Sequence, residues 1–283
     1  TVVDITERVK AKDKIEQLAS KLSRYLSPQV YQSIFSGKKN VKIEAYRKKL
    51  TVFFSDIKGF TEITDRLEPE VLSTLLNSYL NEMSKIALKY GGTIDKFVGD
   101  AILIFFGDPE TKGDKEDAYS CVLMALEMQE RMHHLKKLWE GQGITNPLEI
   151  RIGINTGYCN VGNFGSENRF DYTIIGGEVN LASRLESNAM TGQILISQET
   201  YALIKKHIVC EKKDEIKVKG IAHKIQTYQV VGSYKNIAQK RKILNEEFDG
   251  FNLNIDLNIS KKNKVITSLE NTLKQLKKDE KSN

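Results

Sequence analysis

The chain has 283 residues, of which 40% are hydrophobic and 28% charged, enough to bury a full core and still carry flanking segments. No apolar run approaches the ~20 residues that span a bilayer, and the N-terminal residues lack the hydrophobic core of a signal peptide, so no membrane span is indicated and a soluble, cytoplasmic protein is expected. Cys121, Cys159 and Cys210 are scattered without CxxC spacing, which speaks against a disulfide framework and a zinc site. Of the net charge of +6, residues 233–283 hold +4, leaving +2 for the first 232 and little support for nucleic-acid binding by the main domain.

In chain order, Val2 to Arg8 reads as a short strand running into a charged helical stretch. Ala11, Ile15, Leu18, Leu22 and Tyr25 follow a 4-3-4-3 spacing that lines one seam of a helix and suits a two-stranded coiled coil of about two heptads; a helix packed on its own domain is the alternative. Ser27-Pro28 supplies an N-cap and first-turn proline for a short helix closed by Gly37.

From residue 44 the pattern is α+β. Leu50 to Ser55 is a β-prone run that ends in Asp56 as the chain turns through Gly59 toward a helix. Pro69 opens a long helix with Leu72, Leu75, Leu76, Tyr79, Met83, Ile86 and Tyr90 on its apolar face, ended by Gly91-Gly92. Two apolar runs around Gly99-Asp100 then predict a hairpin with a carboxylate near its tip. A second amphipathic helix buries Ala118, Cys121, Val122, Ala125, Met128, Met132, Leu135 and Leu138; His133 and His134 near its end have no ligand-spaced partner and read as surface residues. A strand from Glu149 to Thr156 completes the order strand, helix, hairpin, helix, strand, a ferredoxin-like βαββαβ core with additional strands and helices after it. That arrangement is expected to set the ends of the first and second strands side by side, so that Asp56 and Asp100 converge. Two strand-end carboxylates beside a glycine-containing strand-to-helix turn suit hard divalent cations and phosphate, hence a metal-nucleotide site.

Beyond this core, Tyr158 to Phe164 and Phe170 to Ile175 flank a loop over residues 165–169, an arm that could reach a partner. A helix from about Glu178 to Ala189 carries Asn180 and Arg184 at i and i+4, on one face. After Gly232, Phe251 to Ser260 alternates apolar and polar residues as one half-buried strand does, and Val265, Leu269, Leu273 and Leu276 suggest a short basic amphipathic helix.

Six motifs in order resemble the catalytic domain of class III nucleotidyl cyclases, the adenylyl and guanylyl cyclase family: Phe54-Ser-Asp-Ile-Lys-Gly-Phe-Thr61, Lys96-Phe-Val-Gly-Asp100, Arg151-Ile-Gly-Ile-Asn-Thr-Gly157, Asp171-Tyr-Thr-Ile-Ile-Gly176, Val179-Asn-Leu-Ala-Ser-Arg184 and Val218-Lys-Gly220. The resemblance covers roughly residues 47–231 and divides the chain into a linker with the end of a sensor domain (1–43), a catalytic domain (44–232) and a basic extension (233–283). It implies two divalent metal ions, Mg2+ or Mn2+, held by Asp56, Asp100 and the Ile57 carbonyl. Amides near Phe60 and Thr61, with Lys219 and Arg169, would hold the triphosphate, Asn180 the ribose, and Arg184 the charge of the transition state. Lys96 and Thr173 match the purine-reading pair. A lysine and a hydroxyl suit adenine N1 and the 6-amino group, whereas guanine presents the reverse pattern, so the implied activity is that of an adenylate cyclase forming 3′,5′-cyclic AMP and pyrophosphate from ATP.

The Lys/Thr pairing resembles the bicarbonate-responsive subgroup, and Asp4-Ile-Thr-Glu-Arg8 before a helix resembles the end of a PAS-type sensor, so an upstream sensor is implied. The resemblance further implies a homodimer with shared active sites. The alternatives are a guanylate cyclase, which would carry an acidic residue at Lys96, and a catalytically silent regulatory domain. Gly176-Gly177-Glu178 also suggests a diguanylate cyclase, but Val179-Asn180 follows and the segment opens a helix rather than sitting on a hairpin.

Overall fold

The computed structural model describes residues 2–22, 28–35, 44–144, 147–166, 168–218, 224–234, 243–248, 251–256 and 262–279. The chain divides into two compact units, residues 1–231 and 232–283.

In the first unit, helices α1 (Val2–Leu22) and α2 (Pro28–Phe35) precede the sheet. The strand expected over Val2 to Arg8 is instead the first two turns of α1. Among the described residues no strand pairs with it, and a helix closes its backbone hydrogen bonds without a neighbour. Ile15 and Leu18 on the expected seam are 66% and 52% exposed within the single chain; Tyr25, Ser27 and Gly37 lie outside the described residues.

The core begins with β1 (Ala45–Ile57) and continues through α3 (Phe60–Thr64), α4 (Pro69–Tyr90), β2 (Thr93–Val98), β3 (Ala101–Phe106), α5 (Asp114–Gly141) and β4 (Ile150–Ser166). It is followed by β5 (Arg169–Ile175), α6 (Gly177–Asn188), β6 (Ile194–Ser197), α7 (Gln198–Ile204), β7 (Ile208–Lys212) and β8 (Thr227–Ser233). The sheet order is β2-β3-β1-β4-β6-β8-β7, with β5 paired to β4. Its first four strands are antiparallel neighbours, the order a βαββαβ core requires.

The centre of the sheet is buried on both faces, so residues 50–54 of β1 and 102–106 of β3 are largely apolar. Phe53, Ile57, Ile102, Ile104 and Phe106 face α4 and α5, packing with Tyr79, Met83, Met128 and Trp139. The alternate residues Leu50, Val52, Leu103 and Phe105 pack on the other face with Val161, Ile174 and Ala182. Helix α4 stops where expected, at Gly91 with φ 84°, a left-handed C-cap that glycine adopts without strain. On α5 the apolar face differs from expectation at its end: Leu138 is 53% exposed, whereas Trp139 is 1% exposed. The seam through Met132 and Leu135 continues by four residues to Trp139, and Leu138 falls about 100° away from it.

The two strands expected around Gly157 are one 17-residue strand, β4. Gly157 does not break it. A Cβ at that position would stand 2.5 Å from Glu178 Cδ, so the glycine admits the start of α6 against the strand. Gly153 does the same one turn further along: a Cβ there would meet Ala182 O and Glu186 N, each at 2.2 Å.

The second unit holds β9 (Ile243–Phe248), β10 (Phe251–Asp256) and α8 (Lys262–Asp279). The strand expected from Phe251 finds its partner in β9, in an antiparallel register that sets Phe251 opposite Phe248. The end of that expected strand, residues 257–260, lies outside the described residues. Among the described residues no helix is long and apolar enough to cross a membrane.

Candidate active site

Asp56 and Asp100 meet, but not by the route expected. Strand β3 lies between β1 and β2, so it is the start of the third strand, not the end of the second, that runs beside the end of the first. Ser55 stands opposite Ile102, a register that carries Asp100 level with Ile57. The Ile57 amide donates to Asp100 Oδ2 at 3.0 Å. Burial, then the neighbouring Asp56 carboxylate, pushes the Asp100 carboxyl up to about 7. These two carboxyl groups, with the Ile57 backbone beside them, form an all-oxygen donor set suited to a hard divalent cation completed by phosphate oxygens. Among the described residues no cluster of three His, Cys, Asp or Glu side chains offers a competing metal site.

Sequence reasoning had not singled out the residue that holds Asp56. Arg151 faces it across the β1–β4 ladder and places Nη2 3.2 Å from Asp56 Oδ2, while its Nε lies 2.6 Å from Oε1 of the buried Glu186 on α6. One guanidinium therefore ties Asp56 to α6. Beyond Ile57 the chain turns at Gly59, left-handed with φ 69°, directly into α3. Phe60 and Thr61 open that helix, where amide groups have no intrahelical acceptor.

A second group forms around the expected base-reading pair. Lys96 is on β2 and the buried Thr173 on β5, and Asp95 joins them. Thr173 Oγ1 donates to Asp95 Oδ2 at 2.6 Å, the Ile174 amide donates to the same oxygen at 3.2 Å, and Lys96 Nζ stands 3.4 Å from Oδ1. Asn180 and Arg184 form a third group on the exposed face of α6. Within one chain Arg184 forms no ion pair with Asp56 or Asp100.

Residues 41–232 match the family described as Adenylate and Guanylate cyclase catalytic domain. The chain belongs to this family. The terminal-differentiation-specific adenylate cyclase of Dictyostelium discoideum is 34% identical over 77% of this chain and 10% of its own length, and the adenylate cyclase of Anabaena cylindrica is 28% identical over 77% and 44%. The chain thus spans less than half the length of these curated relatives. Among solved structures, the adenylyl cyclase CyaB from P. aeruginosa is 64% identical, matching 68% of this chain and 98% of that one with a TM-score of 0.67. The guanylate cyclase domain of RhGC from Catenaria anguillulae, solved with GTP, is 34% identical over 67% and 99%, with a TM-score of 0.60.

In this cyclase domain the remaining expected residues are placed unevenly. Arg169 is exposed at the start of β5, opposite Ser166 across the β4–β5 hairpin; the loop expected there is thus the tip of two paired strands. Lys219 lies outside the described residues. The roles of Arg151, Glu186 and Asp95 were missed: each is a charged residue whose partner arrives from another strand or helix, and although Arg151 opens one of the six motifs, no local spacing announces its partner.

Proposed function

We propose that this cyclase domain converts ATP to 3′,5′-cyclic AMP and pyrophosphate, as a homodimer in which each of two sites takes residues from both chains. The observation that carries the reading is the meeting of Asp56 and Asp100 at the Ile57 amide while Asn180 and Arg184 face outward on α6, leaving the transition-state arginine free to serve a site on a second copy. When bound, two divalent ions held by Asp56, Asp100 and the Ile57 carbonyl lower the pKa of the ribose 3′-hydroxyl and neutralise the polyphosphate.

The chain's own residues do the rest. Lys96 donates to adenine N1 and Thr173 accepts from the 6-amino group. Asn180 orients the ribose so that its 3′-oxygen lies in line with the α-phosphorus. As the O3′–Pα bond forms and the bond to the β-phosphate oxygen breaks, charge gathers on the α-phosphoryl oxygens, and Arg184 meets it with fixed positive charge. Amides of Phe60 and Thr61, with Arg169 and Lys219, hold the β- and γ-phosphates that depart as pyrophosphate. The 3′ proton leaves to water or to a phosphate oxygen, since no side chain stands out as a base.

Lys96 with Thr173 also supports placement beside the bicarbonate-responsive cyclases, and the open seam of α1 supports a helical link to a sensor domain in a cytoplasmic signalling protein. The test is complementation. Asp56→Ala and Arg184→Ala chains should each be nearly inactive alone, because every site then lacks a metal ligand or the arginine. Mixed in equal amounts with verified exchange, half of the sites in the mixed dimers are intact, and roughly a quarter of wild-type activity on ATP should return. A mixture as inactive as its parts overturns the shared site; turnover of GTP in place of ATP overturns the substrate.

A further inference from the structure

We propose that Asp95 is a positioning residue that sets adenine over guanine selectivity, by locking the Thr173 hydroxyl as a hydrogen-bond acceptor toward the base. The proposal rests on the purine pocket proposed for Lys96 and Thr173 above and explains what the Thr173 hydroxyl cannot do alone. A threonine hydroxyl carries one proton and two lone pairs on a free rotor. Unrestrained, it can accept from the 6-amino group of adenine or donate to the 6-oxo group of guanine, and so distinguishes neither.

In this chain the rotor is occupied. Thr173 Oγ1 lies 2.6 Å from Asp95 Oδ2, the short separation of a hydroxyl donating to a carboxylate. The Ile174 amide donates to the same oxygen at 3.2 Å and the Lys96 ammonium faces the other at 3.4 Å, so all three of these groups turn a donor toward the carboxyl group. Burial leaves the Asp95 pKa raised against the opposing effects of Thr173, Lys96 and the Ile174 amide, but Oδ2 already receives the Ile174 amide proton. That oxygen therefore acts as an acceptor toward Thr173. The single Thr173 proton is thereby committed inward, and only lone pairs remain for a ligand.

Lys96 is held differently. Asp95 is 1% exposed at its side chain and Lys96 41%, and Asp95 Oδ1 is buried without a hydrogen bond. The ammonium is thus tethered by charge at the edge of the group, with its protons still available. The result is an acceptor beside a donor, the complement of the adenine 6-amino and N1 edge. Against guanine, acceptor meets the 6-oxo group and donor meets N1–H, and both sets of polar groups are left unpaired. Asp95 lies on β2 and Thr173 on β5, strands that are not neighbours in the sheet, so the lock is a tertiary contact formed before nucleotide binds.

The experiment measures kcat and KM for ATP and GTP with Mn2+ on the full chain, wild type against Asp95→Asn. The asparagine keeps the size but can donate to Thr173 Oγ1 and free its proton to turn outward. Activity with ATP, as kcat/KM, should fall about tenfold while that with GTP does not fall in step, narrowing the ATP:GTP ratio by about tenfold. In a Thr173→Val background the same change should not move the ratio further. A tie that merely joins β2 to β5 would lower both nucleotides alike, and an unchanged ratio overturns the proposal.

Should Asp95→Asn fail to fold, the wild-type chain decides with two isosteric substrates, N6-methyl-ATP and 6-methoxypurine riboside triphosphate, which differ in an N–H donor against an oxygen acceptor. A locked acceptor prefers the first by about tenfold; equal use of the two overturns the lock. ATP kinetics unaffected by both Lys96→Glu and Thr173→Val would instead reject the purine pocket itself. Sensitivity to those changes with an unmoved ratio in Asp95→Asn rejects only the role of Asp95.

Discussion

Replacing Gly153 with alanine tests whether the position of α6 matters to catalysis. The added Cβ would stand 2.2 Å from both Ala182 O and Glu186 N and 2.8 Å from Glu186 Cα, where contacts below 3.0 Å are essentially never found. All three atoms are backbone, so no side chain can swing aside, and the helix must retreat from β4 by on the order of 1 Å. Overpacking of this kind costs about 2 kcal/mol, which lowers Tm by about 4–8 °C in a domain of this size. The same helix carries Asn180 and Arg184, and through Glu186 it holds Arg151. A 1 Å misplacement of oriented groups costs about a hundredfold in rate, so kcat should fall by about that factor at saturating ATP, measured well below the melting transition. Gly177→Ala, on the same helix but with nothing within 4 Å of the added Cβ, is the control and should change Tm and kcat little. A normal Tm and kcat in Gly153→Ala would refute the close-packing account. A lowered Tm with normal kcat would show that the helix moves without consequence, and would remove Asn180 and Arg184 from the proposed chemistry.

Without metal, the Asp100 carboxyl, pushed up to about 7 in the folded chain, keeps a proton that the unfolded chain releases near ~4. The folded state then binds more protons over this window, so stability should fall as pH rises from about 4 through 7. Denaturant midpoints in EDTA read this; Asp100→Asn should flatten the slope, Mn2+ should restore stability near neutral pH, and a wild-type midpoint that rises over this window would contradict the carboxylate pairing. For the α1 seam, one residue inserted between Leu22 and β1 turns the helix face by about 100° and seven restore its phase. Basal activity should drop in the first insertion and recover in the second, and equal activity in both rules out coupling through helix orientation.

How far the fold could be read from the residues depends on whether the signal was local. Helices α4 and α5 and the β2–β3 hairpin were legible because an apolar seam or a Gly-Asp turn reports its own geometry. The strand expected over Val2 to Arg8 had β-prone residues but, among the described residues, no strand to pair with, and partners are not written locally. The stretches Glu149 to Thr156 and Tyr158 to Phe164 read as separate, although Gly157 between them continues β4. The reason for that glycine, the approach of Glu178, lies 21 positions away and exists only after α6 has folded back. Leu138 and Trp139 differ by one position on a helix whose face is set by what packs against it.

The same distinction divides the site. Asp56, Asp100, Lys96, Thr173, Asn180 and Arg184 could be proposed from the sequence because contact with metal, base or phosphate would restrict the residue type as well as its place, and such restricted types recur in short motifs. Arg151, Glu186 and Asp95 act on those residues and not on a ligand. Arg151 reaches Asp56 across 95 positions through the β1–β4 register, and Asp95 reaches Thr173 across 78 through a contact between non-adjacent strands. Neither contact can be read from the residues that flank it. Burial sets Glu186 and the Asp95 side chain apart: a buried charged side chain must be met by partners, and these are Arg151, which also holds Asp56, for Glu186 and Thr173 with Lys96 for Asp95.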